Sequence, residues 1–140
     1  MNRRTFIRIG VVGATAGIIA PRDVLAGGAF DPLKAPVAGT FYYTKDAPGR
    51  WSKKVGGHLP TIEKSCSTIE ITTGHPMNAF EHYIVKHQVF DSSFALKAET
   101  MFDPMKDAPI STHDVSGLSG LVYVMSVCNI HDSWLNIVEV

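Results

Sequence analysis

From residue 51 onward, polar and apolar positions alternate with a period of two over several short stretches. "STIEITT", residues 67–73, is β-branched at nearly every second place. "HYIVKHQVF", residues 82–90, sets Tyr83, Val85, His87 and Val89 on one face and Ile84 on the other. "SFALKAET" and "LVYVMSV" continue the pattern, and "WLNIVEV" closes the chain. Side chains on a strand point alternately to opposite faces, so each stretch reads as a strand with one buried side. No stretch keeps a helical period over three turns. Short strands at this spacing, punctuated by Pro and Gly, predict an all-β sandwich or barrel over residues 51–140.

The first half of the chain reads differently. Residues 27–50 are rich in Gly, Pro and Ala, with "FYYT" the one strand-like patch, and read as an extended arm ordered by packing against something else. Residues 1–26 carry Arg3 and Arg4 in a basic start, an apolar run over residues 9–20, then Pro21 and "VLAGG". That order of charge, apolar middle and small-residue cleavage site is that of an export signal, with Ala26 as its last residue. Paired arginines followed by Thr5 and Phe6 resemble the twin-arginine class, which predicts a periplasmic protein exported already folded. The apolar run falls short of the roughly 20 residues of a spanning helix, so no stable membrane insertion is expected once it is cleaved.

Charge narrows the partners. The chain has 13 basic and 13 acidic residues; removing Arg3, Arg4, Arg8, Arg22 and Asp23 with the signal leaves 9 and 12. No basic patch or run remains, so nucleic acid is not an expected partner. About 114 residues are enough for one compact core.

Six histidines, at positions 58, 75, 82, 87, 113 and 131, enrich a small β-domain in metal donors. Four have distinctive settings: "GGHLP", "TGHP", "FEHYI" and "CNIHDSW". Neutral imidazole and thiolate bind zinc, copper or iron. In the last motif, a cysteine at a strand end with a tight turn after it lets an imidazole three residues on reach the same ion. His87 lies five residues from His82, on the opposite face of a regular strand, so the two are not expected at one site. His113, in "PISTHD", reads as an exposed loop residue. Cys128 has a competing fate, because Cys66 is the only other cysteine and an oxidising compartment favours a disulfide between them.

The constellation as a whole resembles the superoxide reductase family, the iron domain of neelaredoxin and desulfoferrodoxin, over most of residues 51–136. "GGHLPTIEK", "HPMNAFEHYI" and "CNIHDSW" are similar to its three ligand segments, in the same order. The resemblance implies an immunoglobulin-like β-sandwich with one mononuclear non-haem iron (Fe2+/Fe3+). His58, His75, His82 and His131 would be its equatorial ligands and Cys128 its axial one, with the sixth position open. It implies one-electron reduction of superoxide to hydrogen peroxide, an electron donor that the sequence does not identify, and a homo-oligomer as a possible state. A four-cysteine second iron centre is excluded by the cysteine count.

Two departures qualify the resemblance. Where the family usually has Glu-Lys before its first ligand histidine, this chain has Gly56-Gly57. Lys53 and Lys54, just upstream, are then the candidates for guiding superoxide, because glycines leave the loop permissive. There is also one extra residue between His75 and His82, to be absorbed as a bulge around residues 78–80. The glycine pair keeps open a second reading, a non-catalytic periplasmic electron carrier or metal-binding protein on the same scaffold. A blue-copper carrier would want a methionine shortly after His131, and none follows.

Overall fold

The computed structural model describes residues 31–140. The predicted export segment and the first residues of the arm lie outside them. Among the described residues, seven strands form two antiparallel sheets. Strands β1 (Thr61–Ser65), β2 (Thr68–Thr72) and β5 (Ile110–Asp114) make one sheet in the order β1-β2-β5. Strands β3 (Ile84–Phe90), β4 (Leu96–Met101), β6 (Leu121–Cys128) and β7 (Asp132–Glu139) make the other, in the order β4-β3-β6-β7. This is the all-β sandwich that the alternation predicts.

The core lies between the sheets. Ile69 and Ile71 of β2 face Val89 of β3 and Val122 and Val124 of β6, with Val115 beside them. Each such side chain contributes about 1.5–3 kcal/mol when fully buried. On β6 the inward row is Val122, Val124, Ser126 and Cys128, all buried. The row therefore changes from apolar to polar as it approaches one end of the sandwich. There a second cluster gathers Ile84, Phe102 and Cys128, with Met77 packed against it.

The arm has its packing partner. Tyr43 N–H donates to Ser133 O and Leu135 N–H donates to Tyr43 O, so residues around Tyr43 run alongside β7. This covers an otherwise open sheet edge. The Tyr43 ring lies 5.6 Å from Trp134, and both are fully buried.

Two expectations are corrected. The pairing of β3 with β6 shifts between Ile84 and Lys86, which makes Val85 an extra residue. A bulge of this kind moves everything beyond it to the other face. Ile84, His87 and Val89 are therefore all buried, and Ile84 does not oppose His87. His113 is also no loop residue: it pairs with Ile69 within the sheet and is buried, as is Ser111. Both are polar residues at inward positions of a short strand, where hydrogen bonds to each other and to His87 satisfy them.

The fold also separates the two cysteines. Cys66 is exposed in the turn joining β1 to β2, with φ of 44°, whereas Cys128 is buried at the end of β6; both are free. The segments bearing His58 and His75 flank the opposite ends of β1 and β2 from that turn. A five-residue strand spans about 17 Å, far beyond the reach of a disulfide. In the metal-free native protein one thiol is expected to react promptly with a disulfide reagent and a second only on unfolding. Replacing Cys66 by Ser should remove the prompt reaction, and a native protein without free thiols would contradict the fold.

Burial also holds the His87 imidazole at a pKa of about 4, below its ordinary 6.5. The folded state therefore favours the neutral ring, and the unfolded chain binds the extra proton between these two values. Stability from this group is complete above pH 6.5 and lost as pH falls through about 4, by roughly 3 kcal/mol in all. Urea unfolding of the metal-free protein from pH 7 to pH 4 should show this loss, and His87→Gln should reduce its slope.

Candidate metal centre

Five side chains converge at the end of the sandwich where the β6 row turns polar. His58 is the last residue of a one-turn helix, α1 (Val55–His58), that follows a 3-10 turn at Gly49–Trp51. Its Nδ1–H donates to Lys54 O at 3.0 Å. His75 lies just beyond β2, and its Nδ1–H donates to Pro76 O. In both rings this fixes the tautomer, leaving Nε2 as a bare lone pair directed into the cluster.

His82 enters from the loop before β3. Asn78 and His82 bridge each other through their backbones, and Ala79 adopts a φ of 46°. The extra residue between His75 and His82 is absorbed in this tight loop, and His82 stays within the cluster. Cys128 and Asp132 pair as the last and first residues of β6 and β7. His131 therefore sits in a three-residue hairpin loop, closed by Asp132 at a φ of 61°. Its Nδ1 lies 3.7 Å from Cys128 Sγ.

The donor atoms of His58, His75, His82, Cys128 and His131 all lie within 4.8 Å of one another. His131 Nδ1 is 2.9 Å from both His58 Nε2 and His82 Nε2. His82 Nε2 is in turn 3.0 Å from His75 Nε2. The His58 and His75 rings complete the circle, edge to face at 4.5 Å between centroids. Ordinary hydrogen bonds cannot occupy all three close contacts at once. A single N–H on His131 can face only one of its two neighbours. If His82 Nε2 carries the proton towards His75, it opposes a proton on His131.

A divalent ion resolves the conflict, because it accepts every lone pair at once. Two imidazole nitrogens bound at right angles, each at about 2.1 Å, stand about 3.0 Å apart. That is the spacing of the three close pairs. The donor set, four imidazoles and a thiol, suits a transition metal and not calcium or magnesium, which take oxygen ligands.

Burial keeps three of the rings neutral. Burial, reinforced by the neighbouring imidazoles, pushes His58 down to about 4. His75 and His131 are also lowered, chiefly by burial, then by His82, with Lys54 adding to both. Protons therefore compete weakly with a metal at these rings near neutral pH.

One face of the cluster opens to a shallow pocket of about 290 Å3, lined by Lys53, Lys54, Gly56, Gly57, Pro76 and three of the histidines. Both lysines predicted for anion guidance thus flank the site, and no carboxylate lines the pocket. A side chain at Gly56 would meet nothing within 4 Å. Cys128 does not line the pocket and is buried against Ile84 and Phe102. His87 and His113 lie outside the cluster.

Sequence reasoning missed the residues that hold the ligands in place. Asn129 accepts from Tyr83 N–H and donates to Phe80 O and Glu81 O, which ties the His82 loop to the hairpin of Cys128 and His131. Trp134 Nε1–H donates to His131 O. Trp51 packs edge-on against the His131 ring at 4.6 Å and donates its indole N–H to Asp132, which also pairs with Arg50. Asn129 and Trp134 lie inside the "CNIHDSW" motif, so that signal was present. Arg50 and Trp51 are 82 and 81 residues away from Asp132, with no local pattern to connect them.

No protein-family model matches the chain, and no curated protein matches it. Among solved structures it is similar in fold to a point variant of the superoxide reductase (neelaredoxin) from Ignicoccus hospitalis, with a TM-score of 0.64 and 21% identity over 73% of this chain and 94% of that one. The one-iron superoxide reductase from Giardia intestinalis is similar with a TM-score of 0.53 and 21% identity, over 60% of this chain and 98% of that one. The superoxide reductase from Treponema pallidum follows with a TM-score of 0.51 and 20% identity, over 61% and 69%. At these identities the likeness is one of fold: the chain has the β-sandwich of superoxide reductases and, at one end of it, a cluster of four histidines and one cysteine.

Proposed function

We propose that His58, His75, His82, Cys128 and His131 hold a mononuclear non-haem iron, and that the protein is a superoxide reductase acting in the periplasm after export by the twin-arginine route. The observation that carries this reading is the convergence of five transition-metal donors within 4.8 Å, beside a pocket open to solvent. Bound there, ferrous iron would supply one electron to superoxide, which takes up two protons and leaves as hydrogen peroxide.

The residues of the chain divide the remaining work. The four imidazoles are neutral donors, so they leave the positive charge of the ion largely uncompensated. Cys128 would hold the ion as a thiolate, whose charge would raise the electron density at the metal, as thiolate ligation does in haem proteins. Lys53 and Lys54 flank the pocket and make its mouth attractive to a small anion, an effect that salt weakens. The electron donor is a separate reductant, and a homo-oligomer is the assembly we infer from the resemblance.

The glycine pair supports a second reading, a metal-binding protein or electron carrier without turnover. Gly56 and Gly57 leave the pocket with neither a carboxylate nor a lysine directly before His58. Both readings require iron, and they part on reactivity.

The test is metal content followed by rapid kinetics. The mature chain, folded with ferrous iron, should bind one equivalent and develop a thiolate-to-iron absorption band on oxidation. Pulsed superoxide should then oxidise the reduced protein rapidly with formation of peroxide. Failure to bind iron sinks both readings, and iron binding with negligible superoxide oxidation leaves the carrier. Replacing Lys53 and Lys54 together by Ala should slow the reaction several-fold at low ionic strength and much less at high salt. An unchanged rate at low salt removes their guiding role.

A further inference from the structure

Beneath the candidate metal centre lies a second cluster of polar groups that the proposed chemistry does not use. Thr73, His87, Ser111, His113 and Ser126 are all buried, in an otherwise apolar interior where Phe102 packs edge-on against His87 at 4.8 Å. They form one connected chain. His113 Nε2 contacts Ser111 Oγ at 3.0 Å, and Ser111 Oγ contacts His87 Nδ1 at 2.8 Å. His87 Nε2 contacts Thr73 Oγ1 at 2.9 Å, and Thr73 Oγ1 donates to Ser126 Oγ at 2.8 Å.

The direction of every bond follows from the last one. Since the Thr73 hydroxyl donates to Ser126, it must accept from His87 Nε2–H. The neutral His87 ring then has a bare Nδ1, which accepts from the Ser111 hydroxyl. Ser111 Oγ accepts in turn from His113 Nε2–H. Each donor is used once, and the chain runs in one sense from β5 to β6. Bonds aligned in this way polarise and strengthen one another in a low-dielectric interior.

The chain joins the two sheets at the elements that carry two of the metal donors. Thr73 lies between β2 and His75; its carbonyl accepts the His75 N–H at 2.7 Å, and its own N–H donates to Pro109 O. Ser126 lies on the inward row of β6, two residues before Cys128, and pairs with His87 across the strands. Thr73 is thus a node between the backbone that aims His75 and the strand that ends in Cys128.

We propose that Thr73 and His87 are positioning residues for the metal centre: the buried His87–Thr73–Ser126 bridge sets where the His75 segment stands relative to the Cys128 strand. This rests on the reading of the five-residue cluster as a metal site. Thr73→Val keeps the shape and removes only the hydroxyl, and His87→Gln keeps one donor and one acceptor. Cobalt(II) is a suitable probe, because its visible spectrum reports ligand geometry without any turnover.

The wild-type chain is titrated first, under reducing conditions. If it binds no cobalt or iron, the metal reading itself fails. If it binds, Thr73→Val is expected to weaken cobalt affinity about tenfold and to shift the ligand-field and thiolate bands, with His87→Gln partly restoring both relative to His87→Leu. A merely structural role would lower the melting temperature of the metal-free protein and leave the affinity and spectrum of the folded fraction at wild-type values, which would overturn the proposal. Should Thr73→Val not fold, Ser126→Ala removes the other end of the bridge with less change in volume and carries the same two outcomes.

Discussion

Four imidazole nitrogens and one sulfur face inward on a common centre, closer together than internal hydrogen bonds alone would hold them. Lone pairs at about 3 Å repel unless a proton lies between each pair, and the geometry around His131 and His82 does not allow one everywhere. The surroundings act to hold this arrangement. Backbone carbonyls of Lys54 and Pro76 fix two rings with their bare nitrogens inward. Trp134 anchors the His131 carbonyl, and Asn129 binds the His82 loop to the hairpin. Of the five donors only Cys128 joins an apolar cluster, with Ile84 and Phe102, and none belongs to the main core between the sheets. Stability and ligand placement are therefore largely separable, which lets one end of a sandwich carry a cluster that contributes little to folding without its ion.

The strands and the convergence of the five side chains were legible for the same reason, which is that their segments are local. Alternation in "STIEITT" places Ile69 and Ile71 in the core because nothing in that segment breaks the period of two. "CNIHD" places Cys128 and His131 together because a three-residue hairpin loop is a local geometry. His87 was misread relative to its neighbours because the bulge at Val85 leaves no mark in the residue types around it. His113 was misread because a polar residue on a five-residue strand looks the same whether it faces water or a buried serine. The partners that satisfy it, Ser111 and through it His87, are set by sheet pairing. The same holds for Trp51 and Asp132, which meet only once the arm has docked along β7. Non-local contacts of this kind decide how the site is held, and a single sequence does not display them.

The cluster is asymmetric in a way that bears on chemistry. Its sulfur is buried with Ile84, Phe102 and Met77, where solvent is excluded. Its other face opens between α1 and the His75 segment, with Lys53 and Lys54 at the mouth. Gly56 and Gly74 approach there, with room for only ordinary contact between a side chain at Gly74 and the Gly56 carbonyl, at 3.6 Å. The glycines thus keep the mouth low and bring no charged group to its floor.

That absence has an electrostatic consequence. On the proposed reading, a divalent ion held by four neutral imidazoles and one thiolate would leave the centre with a net positive charge, and no carboxylate lines the pocket to offset it. The two lysines add to the same sign at a distance where solvent and salt partly screen them. A cation at the centre and cations at the rim would act in the same direction, so the pocket would favour small anions whatever their redox chemistry. Selectivity for superoxide over other anions then cannot come from charge. On the proposed function it would have to come from electron transfer, which is why the distinction between a reductase and a carrier would lie in the metal's reactivity and not in the shape of its pocket.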